Sequence, residues 1–201
     1  LERGETILDL ACGKGRHARS LNELGFDVTG VDLSPASILY AKGYENDTLH
    51  FDVHDMCKPY HKKFDAVFNL FTSCGYFENE HDNLRTLKAI KADLKLTGKA
   101  VIDFMNVNYV ISNLVEKETK TVDNITFHIN RYVKDGYIIK DISFKDNNEN
   151  YFFTEKVKAL TKEDFLDYFA KAGIELLFTF GDYNLGSFDP EKSSRLILIF
   201  N

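Results

Sequence analysis

The 201-residue chain has no apolar run near the ~20 residues needed to cross a bilayer. No charged leader followed by an apolar stretch and a small-residue cleavage site opens it, which implies a cytoplasmic protein away from any membrane. Cysteine is scarce: Cys12, Cys57 and Cys74 are odd in number and lack CxxC spacing, which excludes a disulfide framework and implies reduced thiols. Positive charge is also short. Lys and Arg total 25 against 31 Asp and Glu, a net charge of −6, so there is no global basic field to favour nucleic acid. What is there is globular in composition, with 44% hydrophobic and 28% charged residues. The length suits one domain with a small insertion. Residue 1 is Leu, and the chain opens almost directly into an apolar strand, so the expectation is that its natural start is missing.

The first half alternates strand and helix. Thr6–Leu10 is a short apolar run ending at a Gly-rich turn, which predicts a buried strand. Helices are expected from Arg16 to Leu24, closed by Gly25, and from Ser34-Pro35 to about Ala41, with Ser at the N-cap and Pro at the first helical position. Strands are expected over 26–31, 50–53, 64–71 and 99–105. The helix before the last of these covers 83–96 and is closed by Thr97-Gly98. Residues 119–160 carry no helical stripe. Their β-branched and aromatic runs, broken at Lys134-Asp135-Gly136 and at 146–150, predict three inserted antiparallel strands. A helix capped by Thr161 and stopped by Gly173 follows, then strands over 174–180 and 195–200. No crossover helix fits between those two strands, so the last returns antiparallel. The expected fold is α/β: a doubly wound, seven-stranded, mostly parallel sheet with its last strand antiparallel, plus an inserted antiparallel β subdomain. The division is 1–110 for the first part of the α/β core, 111–160 for the insertion, and 161–201 for completion of the core.

Ligands of such sheets bind where the strands end at the switch point. The loop after the first strand, Asp9-Leu10-Ala11-Cys12-Gly13-Lys14-Gly15-Arg16-His17, lets the backbone turn sharply beside a ligand and leads into a helix N-terminus. Asp9 ends an otherwise apolar strand, where an unpaired carboxylate is costly, so a cationic ligand group is expected beside it. The bland alternative is that Asp9 only orders the turn. Asp32 ends the second strand at ribose-binding distance along the chain from the glycines; the alternative is a helix-start acid. Asp55 and Met56 follow the third strand and are suited to an adenine amine and ring.

These stretches, ILDLACGKGRH, VTGVDLS, FDVHDM and FDAVFNLF, resemble the successive motifs of class I S-adenosylmethionine-dependent methyltransferases of the small-molecule type. The resemblance covers essentially the whole chain, including the reversed last strand. It implies that S-adenosylmethionine is the cofactor. Asp9 with the backbone of Ala11, Cys12, Gly13 and Gly15 would hold the methionine part, Asp32 with Leu33 the ribose, and Asp55 with Met56 the adenine. Backbone carbonyls of Asn69 and Leu70 would face the ammonium group. It also implies that 1–110 is the cofactor-binding core and the insertion over 111–160 a lid or dimer surface, with methyl transfer to N or O of a small-molecule acceptor, a possible homodimer, and an amino-terminal lid missing from this chain.

No residue is marked as the catalytic base. Acceptor-side candidates are Thr72, Ser73, Tyr76, Asp103, Asn106 and Tyr109 after the fourth and fifth strands, and Tyr183 before the last. Competing readings remain. An NAD-dependent oxidoreductase shares the glycine loop and ribose acid but has no need of Asp9. A nucleic-acid amino-methyltransferase would carry prolines where Asn69-Leu70-Phe71-Thr72 stands. A metal site from His50, His54 and His61 has irregular spacing, and no metal is expected. Cys12 suits packing better than nucleophilic attack. A non-catalytic S-adenosylmethionine-binding module would keep every motif and lack transfer.

Overall fold

The computed structural model describes residues 1–77 and 79–201. Its elements run β1 (Thr6–Leu10), α1 (Arg16–Glu23), β2 (Asp27–Asp32), α2 (Pro35–Ala41), β3 (Leu49–Val53), β4 (Phe64–Asn69), α3 (Glu80–Asp93), β5 (Leu94–Met105) and α4 (Val107–Ser112). Then follow β6 (Lys117–Val122), β7 (Ile125–Lys134), β8 (Tyr137–Asp146), β9 (Glu149–Lys158), α5 (Lys162–Ala172), β10 (Leu176–Phe180) and β11 (Arg195–Phe200). Seven strands form one sheet in the order β10-β11-β5-β4-β1-β2-β3. All its pairings are parallel except those of β11, which runs antiparallel to both β5 and β10. The chain thus has the expected Rossmann-like methyltransferase fold with an inserted antiparallel sheet.

Local chemistry explains the boundaries. The Ser34 hydroxyl accepts the Ser37 amide at the start of α2. Thr161 and Asp164 form a reciprocal capping box on α5, and Gly173 closes that helix with φ 65°. Gly25, with φ 97°, ends α1.

The helices sandwich the sheet. Alternate residues of β4, β5 and β11 (Phe64, Ala100, Ile102, Phe104, Leu198, Phe200) pack on Leu87 and Ile90 of α3 and on Phe165 and Phe169 of α5. Each such buried side chain contributes roughly 1.5–3 kcal/mol over an exposed one. On the other face, Ile7, Val28 and Phe51 pack with Ala18, Ile38 and Ala41 from α1 and α2. No helix among the described residues is long and apolar enough to cross a membrane.

Two expectations are corrected. The insertion has four strands, in the order β6-β7-β8-β9, where three were expected. The extra strand, Lys-Glu-Thr-Lys-Thr-Val, is exposed at all six positions and shows no apolar side. It is held by hairpin pairing to β7 through Asp123-Asn124, whose φ values of 49° and 65° suit a type I′ turn. The helix expected to reach Leu96 stops at Asp93, whose carboxylate accepts the Tyr60 amide. Extended chain begins at Leu94, and the β4–β5 register slips between Phe64 and Ala66, so Thr97-Gly98 lies within the irregular start of β5 and caps no helix. Beyond expectation, the short helix α4 follows β5.

The insertion joins the core at its base. Ile138, Val157 and Leu160 are buried in the main cluster. The Lys158 amide donates to the Gly75 carbonyl at 2.8 Å.

Candidate functional site

Parallel order β4-β1-β2-β3 places four carboxyl ends side by side, and the winding reverses between β1 and β4. Asp9 lies on β1 at that reversal and is 2% exposed. Its Oδ2 has no hydrogen-bond partner among the described residues. Burial pushes its carboxyl up to about 7; the Ala18 amide draws it back down and the neighbouring Asp32 adds to the rise. A buried polar atom without a partner costs ~1–3 kcal/mol.

The loop after β1 turns through left-handed residues: Ala11, Gly13 and Gly15 have φ of 59°, 57° and 80°. At Gly15 a Cβ would sit 2.6 Å from the Phe51 ring, so no larger residue fits the turn onto α1. At Gly13 a Cβ would meet nothing within 4 Å, so the loop's outer side is open to a ligand. Cys12 is buried; its amide donates to the Val31 carbonyl at 2.9 Å, and burial pushes its thiol well above the ordinary range.

Asp32 ends β2. One carboxylate oxygen accepts the Gly13 amide at 2.9 Å and the other accepts the Ser34 amide at 2.8 Å. The acid therefore braces the glycine loop against the start of α2. A carboxylate has about four acceptor sites, so each oxygen keeps one for a ligand. Leu33 beside it is 71% exposed. After β3, Asp55 accepts the Cys57 amide at 3.0 Å and faces Lys58 at 3.5 Å; that amide above all holds its carboxyl below the ordinary range. Met56 is half-buried, its sulfur 3.9 Å from the Asn69 amide nitrogen. Asn69 is buried at the end of β4. It donates to the Leu10 carbonyl at 3.3 Å and accepts from the Cys74 thiol at 3.1 Å, tying β4 to β1. The Leu70 carbonyl accepts the Ser73 hydroxyl at 2.9 Å. The cofactor-side residues expected from sequence thus lie along one continuous edge.

A second group of side chains begins two residues beyond Asn69. Phe71 and Thr72 both adopt left-handed φ, 58° and 63°. The Phe71 amide donates to the Asp103 carboxylate at 3.1 Å, and the Thr72 amide donates to the Asp103 carbonyl at 2.9 Å. Asp103, on β5, is 2% exposed. It also accepts the Tyr183 hydroxyl at 3.0 Å and pairs with Arg195 at 2.7 Å. Arg195 reaches on to the Thr72 hydroxyl at 3.2 Å. The Phe71 ring stacks on His17 of α1 at 4.7 Å and 13°, with the Arg16 guanidinium 5.4 Å from its centre. Partial burial, with Arg16 beside it, holds the His17 imidazole below its ordinary pKa.

The other acceptor-side candidates lie elsewhere. Asn106 is buried, and its amide donates to the Pro190 and Ser193 carbonyls at 2.9 and 2.8 Å, holding the loop before β11. Tyr76 lines a groove at the base of the insertion with Tyr137 and Thr154–Lys156. Arg195, Phe71 and His17 were not singled out from sequence. The available signal was a charged residue opening the apolar run RLILIF, opposite the lone acid of VIDFM. In the antiparallel register Asp103 pairs with Ile197, which makes Arg195 its diagonal neighbour on the same face. No three His, Cys, Asp or Glu side chains converge as a metal site among the described residues.

Residues 7–98 match the methyltransferase domain family. The chain is 32% identical over 113 residues to a glycine/sarcosine N-methyltransferase of Aphanothece halophytica, a match covering 52% of this chain and 42% of that protein. It is 24% identical over 191 residues to the dTDP-3-amino-3,6-dideoxy-alpha-D-glucopyranose N,N-dimethyltransferase of Streptomyces fradiae, covering 88% of this chain and 72% of the other. Among solved structures, an S-adenosylmethionine-dependent methyltransferase from Clostridium acetobutylicum superposes with a TM-score of 0.84 at 20% identity, covering 98% of this chain and 83% of its own. The chain spans less than half the length of the glycine-type relative, so the comparison speaks for the domain they share. The fold and the domain match agree: residues 7–98 resemble a methyltransferase domain, and the whole chain shares the fold of an S-adenosylmethionine-dependent methyltransferase.

Proposed function

We propose that this chain transfers the methyl group of S-adenosylmethionine to a nitrogen or oxygen of a small-molecule acceptor, and that an amine is the favoured class. The observation that carries the cofactor side is Asp9: a buried carboxylate with an orphaned oxygen fits the ammonium end of a methionine group. It does not fit a dinucleotide, whose pyrophosphate a buried acid beside the glycine loop would repel. In this proposal the Ala11–Gly15 backbone holds the methionine part, and Asp32 and Leu33 take the ribose. Asp55 and Met56 take the adenine, and Asn69 and Leu70 offer oxygen atoms to the ammonium group. When bound, the cofactor supplies a methyl group on a sulfonium, whose departure leaves a neutral thioether. The protein's part is then alignment and exclusion of water, with a base required only where the acceptor must lose a proton.

Both relatives named above act on nitrogen, as their names state, which supports the amine class. The three-part division at 1–110, 111–160 and 161–201 belongs to the same proposal. The insertion serves there as lid or subunit contact, supported by its face of Phe127, Phe144, Tyr151 and Phe153.

The test is a thermal-shift comparison followed by turnover. S-adenosylmethionine should raise the melting temperature more than NAD, and S-adenosylhomocysteine should accumulate when amines are added. A larger shift with NAD refutes the proposal. Cofactor binding without transfer to any acceptor favours a non-catalytic binding module.

A further inference from the structure

We propose that Tyr183 is the acceptor anchor: its hydroxyl oxygen accepts a hydrogen bond from the N–H of an uncharged amine, while Asp103, locked by Arg195, fixes the hydroxyl proton on the other side. This deepens the methyltransferase proposal and rests on it.

The argument starts from hydrogen-bond direction. A tyrosine hydroxyl has one proton and two lone pairs. The proton of Tyr183 is directed to Asp103 at 3.0 Å, so what the hydroxyl offers outward is acceptor capacity. Asp103 is held from four sides: Tyr183, the Phe71 amide, the Arg195 guanidinium and, through its own carbonyl, the Thr72 amide. Arg195 also holds Thr72, so the carboxylate keeps its orientation. Tyr183 is 60% exposed, with its ring 6.0 Å from Phe71 and 5.8 Å from the Arg195 guanidinium. A rigid buried base thus carries an accessible tip. Phe71 connects it to the cofactor side by stacking on His17, in the first turn of the helix after the glycine loop. Two successive non-glycine residues in the left-handed region are costly, at roughly 1–3 kcal/mol each, and persist where their surroundings over-determine them.

This geometry defines the acceptor's chemistry. Asp103 and Arg195 cancel in charge, and the tip presents an oxygen lone pair, so the partner is a neutral hydrogen-bond donor that also carries a nucleophilic lone pair. A primary or secondary amine meets both conditions. Its N–H on Tyr183 leaves the nitrogen lone pair aimed elsewhere, toward the methyl donor. Tyr183 takes no proton: the methylated product leaves as an ammonium and yields its proton to water. Partial burial and Asp103 raise the hydroxyl's pKa, against the pull of Arg195, and keep it protonated.

The experiment uses the whole chain with S-adenosylmethionine and three probes: glucosamine, ethanolamine and glycine. S-adenosylhomocysteine formation gives kcat/KM for the best probe across pH 6–9, in wild type and Tyr183→Phe. Calorimetry gives the affinity of each protein for S-adenosylmethionine, and for the probe in the presence of S-adenosylhomocysteine. Tyr183→Phe should lower kcat/KM about two- to tenfold, the range for one neutral hydrogen bond at a site open to water. It should weaken probe binding, leave cofactor affinity unchanged, lower the melting temperature only by the hydrogen bond lost to Asp103, and keep the shape of the pH profile. Arg195→Lys should show an intermediate loss, since an ammonium cannot hold Asp103 and Thr72 as a guanidinium fork does. An unchanged kcat/KM in Tyr183→Phe overturns the anchor, as does a shifted pH limb, which would make Tyr183 a base. No turnover of any probe by a protein that binds the cofactor also overturns it. No cofactor binding at all overturns the methyltransferase proposal itself.

Discussion

Replacing Asp9 with Asn should stabilise the ligand-free protein at neutral pH while weakening its grip on cofactor. Burial lifts the Asp9 carboxyl from 3.8 to about 7. At about 1.4 kcal/mol per tenfold change, that disfavours the ionised folded form by about 4 kcal/mol. The folded chain holds this proton more tightly than the unfolded chain. Its contribution to stability is therefore fully present at low pH, falls by ~1.4 kcal/mol per pH unit between about pH 4 and pH 7, and is flat above. Asp93 is also raised to about 7 by burial, against the Tyr60 amide, and acts in the same direction, so wild type alone cannot isolate Asp9. Asp9→Asn can, because it removes one titrating group and keeps an acceptor for the Ala18 amide. Urea unfolding followed by circular dichroism at pH 5.5, 6.5 and 7.5 measures the difference. The variant should gain about 2 kcal/mol on wild type between pH 5.5 and 7.5, and calorimetry should show weaker S-adenosylmethionine binding. Parallel pH dependences for the two proteins would refute the argument, because Asp9 would then be ionised without cost in the free protein.

Other outcomes follow from packing and pairing. Gly15→Ala should destabilise by about 2–4 kcal/mol in urea, since its Cβ would meet the Phe51 ring at 2.6 Å and its φ is 80°; Phe51→Leu should recover part of the loss. Arg195→Met leaves Asp103 charged and buried, so a loss of about 3–5 kcal/mol is expected, mostly recovered in the double variant with Asp103→Leu. Thr161→Ala breaks the capping box of α5 and should cost about 1 kcal/mol.

How much of this was legible in the sequence depends on how local the cause is. Ser34-Pro35, Thr161 with Asp164, Gly25 and Gly173 act within a few residues, and the helix ends they mark agree with the structure. TILDL and RLILIF are continuous apolar runs because both their faces are covered, and they form β1 and β11. The reversal of β11 followed from the missing crossover. Strand β6 was not legible, because an exposed edge strand needs no apolar face, and its Asp123-Asn124 turn lies in a polar stretch. The slip at the start of β5 was hidden by Leu94, which continues the helical spacing of Leu84, Leu87 and Ile90. At the site, Asp9, Asp32 and Asp55 stood out because each acid ends a strand run. The Arg195 and Tyr183 partners of Asp103 depend on a pairing across ninety-two and eighty residues of chain. The charged residue opening RLILIF and the lone acid of VIDFM hint at a pairing, but the register that joins them is set by the folded sheet.

The central claim is that the edge built by Asp9, the glycine loop and Asp32 holds S-adenosylmethionine. Calorimetric titration of wild type and Asp32→Ala with S-adenosylmethionine, and of wild type with NAD, tests it most directly. The account predicts one-to-one binding of S-adenosylmethionine by wild type, tighter than that of NAD. It also predicts at least tenfold weakening in Asp32→Ala, about 1.4 kcal/mol or more. Equal affinity in the variant, or tighter binding of NAD, would contradict it.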